Sequence, residues 1–263
     1  MLLNALSLGE AVDGRPPLVL LHGLFGSARN WGQHQKALAA SNRQVITMDL
    51  RNHGDSPHGP VTSYATMAED VAETLADRGI ARCHLLGHSM GGKVAMSLAL
   101  TRPDLIDRVI VADIAPRTYV HGNKDLTAAM LALQITPGMT RAEASAALAE
   151  RIPDAMIRSF LLLNLRLGNT QPTGWRIGLP ELSDAMPVIE GWEPVAGHYA
   201  GPALFLSGSR SHYVPEDAQP AIRTLFPAVR FETVPDAGHW LHVDNPAGFI
   251  AAISPFLDER AVA

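Results

Sequence analysis

Three side chains far apart in the chain, Ser89, Asp113 and His239, have the types and the order that a nucleophilic hydroxyl needs. A hydroxyl attacks poorly at neutral pH unless a base lies within hydrogen-bond reach. The base needs a carboxylate to orient it and offset its developing charge. Ser89 stands in Gly87-His88-Ser89-Met90-Gly91-Gly92. The bare Gly-x-Ser-x-Gly pattern arises by chance in many chains. Here an apolar run, Cys83 to Leu86, leads in, and a small-residue helical pattern of Val94, Ala95, Met96, Leu98 and Ala99 leads out. Strand, tight turn and helix with serine at the tip form a nucleophile elbow. The turn leaves little room beside the serine, so glycines are expected at 87 and 91. It also aims the Met90 N–H, at a helix N-terminus, toward a developing oxyanion.

His239, in Asp236-Ala237-Gly238-His239-Trp240, is the best base. It follows the last predicted strand, so its loop opens at the same C-terminal sheet edge as Ser89. The plainer alternative is a loop histidine without a task. Two strand ends offer an acid. After Pro202–Leu206 none occurs until Glu216 and Asp217, which the pattern puts in a helix. Asp113 directly ends the strand Val109–Ala112 and keeps the chain order serine, acid, histidine. Its alternative task is to cap the turn Ile114-Ala115-Pro116. Asp236 lies only three residues from His239 and is poorly placed to face it. A second oxyanion donor is expected from the loop after the first central strand. Leu24 is the first choice and Phe25 the second.

His22, Phe25, His88 and Trp240 are the candidate substrate contacts. His22 could instead order its loop, and His88 could simply pack in the elbow. His242 is expected on a helix face or in solvent. His53, Asp55 and His58 invite a metal, but their spacing fits no common zinc pattern, and Gly54 and Pro57 mark a loop that hydrogen-bonds to itself. No metal is therefore predicted. Gly23 to Gly26 is too short for a phosphate loop, and no Gly-x-Gly-x-x-Gly occurs, so no cofactor is predicted either.

These residues must be carried by an alternation of apolar strands and helices. Strands are expected within Leu2–Leu8 (an edge) and at Pro17–Leu21, Val45–Leu50, Cys83–Leu86, Val109–Ala112, Pro202–Leu206 and Arg230–Val234. Helices are expected at Gln33–Ala40, along the stripe Tyr64, Met67, Val71 and Leu75 ending at Gly79, and from about Pro215 and Pro246. The alternation predicts an α/β fold, with a mostly parallel twisted sheet flanked by helices. The strand pattern lapses between, where helices are expected at Leu126–Ile135, Arg141–Arg151, Ala155–Leu165 and Glu181–Ile189. Residues 1–116 and 201–263 thus form the core, and 117–200 a helical cap inserted after the strand ending at Asp113.

The chain has 263 residues, of which 47% are apolar, enough for a sizeable core. A net charge of −5 argues against general nucleic-acid binding. The single cysteine, Cys83, excludes an internal disulfide and fits a reducing compartment. Neither a signal peptide nor a membrane span is expected, which points to the cytoplasm. Monomer and homodimer both stay open. In the cap, Leu131, Leu133, Ile135, Phe160, Leu161, Leu162, Leu163, Trp175 and Met186 are apolar. Some could line an acyl pocket, though packing is the ordinary fate of such residues.

Taken together, His22-Gly23-Leu24-Phe25-Gly26-Ser27, Asp49 to Pro57, Gly87 to Lys93, Asp113-Ile114-Ala115-Pro116 and Ala237-Gly238-His239-Trp240 resemble the α/β-hydrolase family, and within it the small serine esterases of the YbfF type. The resemblance covers nearly the whole chain. It implies an α/β-hydrolase fold with a helical cap, and hydrolysis of a small-molecule ester or thioester, with Ser89 as nucleophile, His239 as base, and the Leu24 and Met90 amides as oxyanion hole. One departure stands out. Most members carry the acid three residues after the glycine at position 208, where this chain has Ser211. That leaves Asp113, the residue already preferred. A carbon–carbon bond hydrolase or lyase of the same fold would use the same triad. A non-catalytic ligand-binding member would tend to lose the serine or histidine, and both are present.

Overall fold

The structure is a computed structural model and describes residues 1–119, 122–168 and 173–259. The strands in chain order are β1 (Ala5–Leu8), β2 (Leu18–Leu21), β3 (Val45–Met48), β4 (Cys83–His88), β5 (Ile106–Ala112), β6 (Leu165–Arg166), β7 (Gly174–Trp175), β8 (Ala203–Gly208) and β9 (Val229–Val234). Seven of them form one sheet in the order β1-β3-β2-β4-β5-β8-β9. Only β1, at the edge, runs antiparallel. The strands β2, β3 and β4 are buried at every residue, as continuous apolar runs covered on both faces require.

Side chains alternate across the sheet and divide the core in two. On one face Val19, Leu21, Leu85, Val109 and Val111 pack with α2 (Tyr64–Asp77) and α3 (Met90–Thr101). On the other, Leu18, Leu20, Leu86, Ile110 and Leu204 pack with α1 (Gly32–Ala39) and α11 (Pro246–Asp258). The register brings the working ends level. His88 pairs with Ala112, and Ala112 with Leu206. Residues 89 and 113 and the turn after 208 therefore leave the sheet side by side.

Between β5 and β8 the described chain adds no strand to this sheet. It forms α4 (Asn123–Ala132), α5 (Arg141–Leu148), α6 (Ala155–Leu162), α7 (Leu179–Asp184) and α8 (Met186–Glu190). Three details differ from the sequence expectation. The β6–β7 pair is a two-residue antiparallel ladder that no alternating pattern announces. The first three helices stop three residues short of their expected ends. Glu181–Ile189 is two helices, each with proline in its first turn, because Pro187 lacks the N–H and fits only where a helix starts. Downstream lie α9 (Gln219–Leu225) and α10 (Leu241–Asp244). Among the described residues no helix is long and apolar enough to cross a membrane.

Candidate active site

Ser89 joins β4 to α3 at φ 52° and ψ −119°, a conformation few L residues adopt. The flanking glycines make that turn possible. A Cβ at Gly87 would stand 2.0 Å from the Gly91 carbonyl oxygen, and one at Gly91 only 2.5 Å from that of His22. Asp113 also has positive φ, at 54°, where the chain leaves β5.

The structure brings Ser89, Asp113 and His239 together. The His239 Nε2 lies 3.0 Å from the Ser89 Oγ, and its Nδ1 lies 2.8 Å from the Asp113 Oδ2. Asp113 is wholly buried and its carboxylate is fully engaged. Its Oδ1 accepts from the Gly208 N–H at 3.1 Å. Its Oδ2 also accepts from the Ser211 hydroxyl. Ser211, three residues after Gly208, is thus a donor to the Asp113 carboxylate. Asp217 pairs instead with Arg117 at the surface.

Two contacts hold His239, one at its backbone and one at its ring. The His88 Nε2–H donates to the His239 carbonyl at 2.8 Å. The Tyr213 ring lies flat against that of His239, with centroids 3.8 Å apart and planes at 20°. Sequence reasoning missed Tyr213, because nothing in a loop 26 residues away announces a stack.

The two expected oxyanion donors differ in how they are freed. Met90 is the first residue of α3, so its N–H has no partner inside the helix. In the loop after β2, the Phe25 N–H is committed to the His53 Nε2 at 3.1 Å. The Leu24 N–H has no partner among the described residues. That favours Leu24 over Phe25. The loop also runs against the serine, since a Cβ at Gly23 would lie 3.3 Å from the Ser89 Cβ.

The polar run after β3 knots upon itself. The Asp49 carboxylate accepts from the Ala28, Asp55 and Asn4 donors. Burial opposes its charge, but these bonds outweigh it and hold the carboxyl below its usual range. The His22 Nε2 accepts from the Leu50 N–H, and the His53 Nδ1–H donates to the Arg51 carbonyl. Burial pushes both imidazoles down, His53 to about 3, so both are neutral. These bonds fit the loop-ordering alternative for His22. Asp55 meets Arg29 from the core and Arg166 and Arg176 from the inserted segment.

A cavity of about 410 Å³ opens over Ser89. His22, Leu24, Phe25, His88 and Trp240 line it from the core, and Leu126, Met156, Ile157, Phe160 and Leu161 from α4 and α6. Of the apolar residues read from the inserted segment, only Phe160 and Leu161 reach its wall. His242 lies on a helix face, α10, as one of its two expectations had it, and not in solvent. It is 5% exposed, packed between Trp31 and His88, because α10 turns its inner face toward the elbow rather than toward solvent.

Sheet order, elbow and inserted helices are those of an established class. The chain belongs to the alpha/beta hydrolase fold family, whose description matches residues 16–246. It is similar to the zebrafish (Danio rerio) sn-1-specific diacylglycerol lipase ABHD11, with 42% identity over 94% of this chain and 81% of that one. It is 36% identical to the Escherichia coli esterase YbfF, over 92% of this chain and 93% of that one. Among solved structures, a marine microorganism esterase superposes with a TM-score of 0.91 at 34% identity, covering 97% of this chain and 99% of that one. These relatives place the chain among hydrolases of the carboxylesterase type.

Proposed function

We propose that the chain hydrolyses carboxylic esters, and thioesters of the same shape, through an acyl-enzyme formed on Ser89. One observation carries the reading: His239 bridges the Ser89 hydroxyl and the buried Asp113 carboxylate. His239 takes the hydroxyl proton as the Ser89 Oγ attacks the carbonyl carbon. Asp113 keeps Nδ1 protonated and offsets the imidazolium charge. The Leu24 and Met90 amides hold the oxyanion, each contributing about 2.7–4 kcal/mol to the transition state. His239 then gives its proton to the leaving alcohol or thiol as the carbon–oxygen or carbon–sulfur bond breaks. Water, deprotonated by the same imidazole, releases the acid and restores the serine.

Residues 117–200 serve in this reading as a cap, and the apolar side chains of α4 and α6 favour an apolar acyl group. A glycerolipid ester of the kind in the zebrafish relative's name is one such substrate. The test is fluorophosphonate labelling with a chain-length series of nitrophenyl esters. Wild-type protein should be labelled and should favour apolar acyl groups. Folded Ser89→Ala should take no label, with kcat reduced by about six orders of magnitude. Labelling that survives in Ser89→Ala overturns the reading.

A further inference from the structure

Behind His239 stands a column of rings that the acyl chemistry does not itself require. Tyr213 is face to face with His239 at 3.8 Å and 20°. Tyr119 stacks on the far side of that pair, its centroid 5.3 Å from Tyr213 at 28°. The Tyr119 hydroxyl donates to the Tyr213 carbonyl and accepts from the Ala115 N–H, two residues beyond Asp113. The Lys93 ammonium, four residues beyond Ser89, sits over the Tyr119 ring at 5.2 Å. It also donates to the Glu190 and Gly191 carbonyls at the end of α8. The column thus runs from the helix behind the nucleophile to the base, and touches the segment that follows the acid.

Resting on the triad read above, we propose that Tyr213 is a positioning residue whose ring face supports the His239 imidazolium, and that Tyr119 holds Tyr213 flat for that purpose. His239 becomes a cation when it takes the serine proton. A cation over an aromatic face within about 6 Å is attracted to the ring's negative face. The Asp113 carboxylate holds one edge of the imidazole, and besides Tyr213 its other charged or titratable neighbours among the described residues are the His88 and His242 rings on the inner side. Burial holds both of those imidazoles neutral, His242 at about 3 and His88 well below its ordinary value, so neither adds a charge against the cation. Tyr213 is therefore the face partner that distinguishes the charged from the neutral state.

The experiment compares Tyr213→Phe, Tyr213→Leu and Tyr119→Phe with wild type, each shown to be folded by circular dichroism. Tyr213→Phe keeps the face and should keep kcat within about twofold. Tyr213→Leu keeps bulk but loses the face. Its kcat should fall about 3- to 30-fold at nearly constant KM, and the acidic limb of kcat/KM should move to lower pH by about half to one and a half units. Tyr119→Phe should give a smaller loss that does not add to that of Tyr213→Leu, as for residues acting in one chain. A packing role alone would leave the limb in place, and an unmoved limb, or equal losses in Tyr213→Phe and Tyr213→Leu, overturns the proposal. Failure of the triad itself is distinguishable, because Ser89→Ala would then retain activity.

Discussion

Asp113 is the residue on which the sequence was least explicit and the geometry is most so. The usual acid position holds a serine, and Asp113 was favoured by its place at a strand end and by the chain order. Its φ of 54° is tolerated by asparagine as well as aspartate, because a short polar side chain can bond locally. Asp113→Asn should therefore keep the fold and lose about four orders of magnitude in kcat. If Asp236→Asn or Asp217→Asn is the damaging change instead, the assignment fails. Leu24, by contrast, was ranked above Phe25 only by its place directly after His22-Gly23. What separates them is the His53 ring that occupies the Phe25 amide, and a partner 28 residues away leaves no local trace.

At the scale of elements, strands covered on both faces were readable because each is an unbroken apolar run. The inserted helices were readable in kind, and two of them in their starts at Arg141 and Ala155, but not in their C-terminal ends. Their ends depend on caps and on the site they cover. Asp154 shows both. Its carboxylate accepts from the Met156 N–H at 2.7 Å and the Ile157 N–H at 3.2 Å, and so starts α6, which carries Met156, Ile157, Phe160 and Leu161 to the cavity. Asp154→Ala should cost about 1 kcal/mol in urea unfolding. It should raise KM for long-chain esters more than for acetates, since only the long chain reaches α6. An equal change for both chain lengths would separate the helix from acyl binding. The β6–β7 ladder had no readable signal, since two residues per strand are too few to show alternation.

At the scale of the whole molecule, buried neutral histidines set the response to acid. Burial holds His53 and His242 at about 3, far below the value near 6.5 of an unfolded chain. Below that value the unfolded chain binds protons that the folded one refuses. Stability from these groups is thus fully present above about pH 6.5 and is lost as pH falls toward 3. Two such groups should remove about 3 kcal/mol per pH unit between pH 5.5 and 3.5, read as a falling denaturation midpoint. A flat midpoint across that range would contradict the burial of both. The histidines were visible in the sequence, but their neutrality was not, because it comes from neighbours contributed by distant segments. One last consequence concerns the hinge of the elbow. Ser89 sits where an L residue is uncomfortable by about 1–3 kcal/mol, and only glycine would rest there at ease. On the proposed mechanism Ser89→Gly should therefore be inert while melting a few degrees higher than the native protein, so the chain holds its hydroxyl at the expense of its own durability.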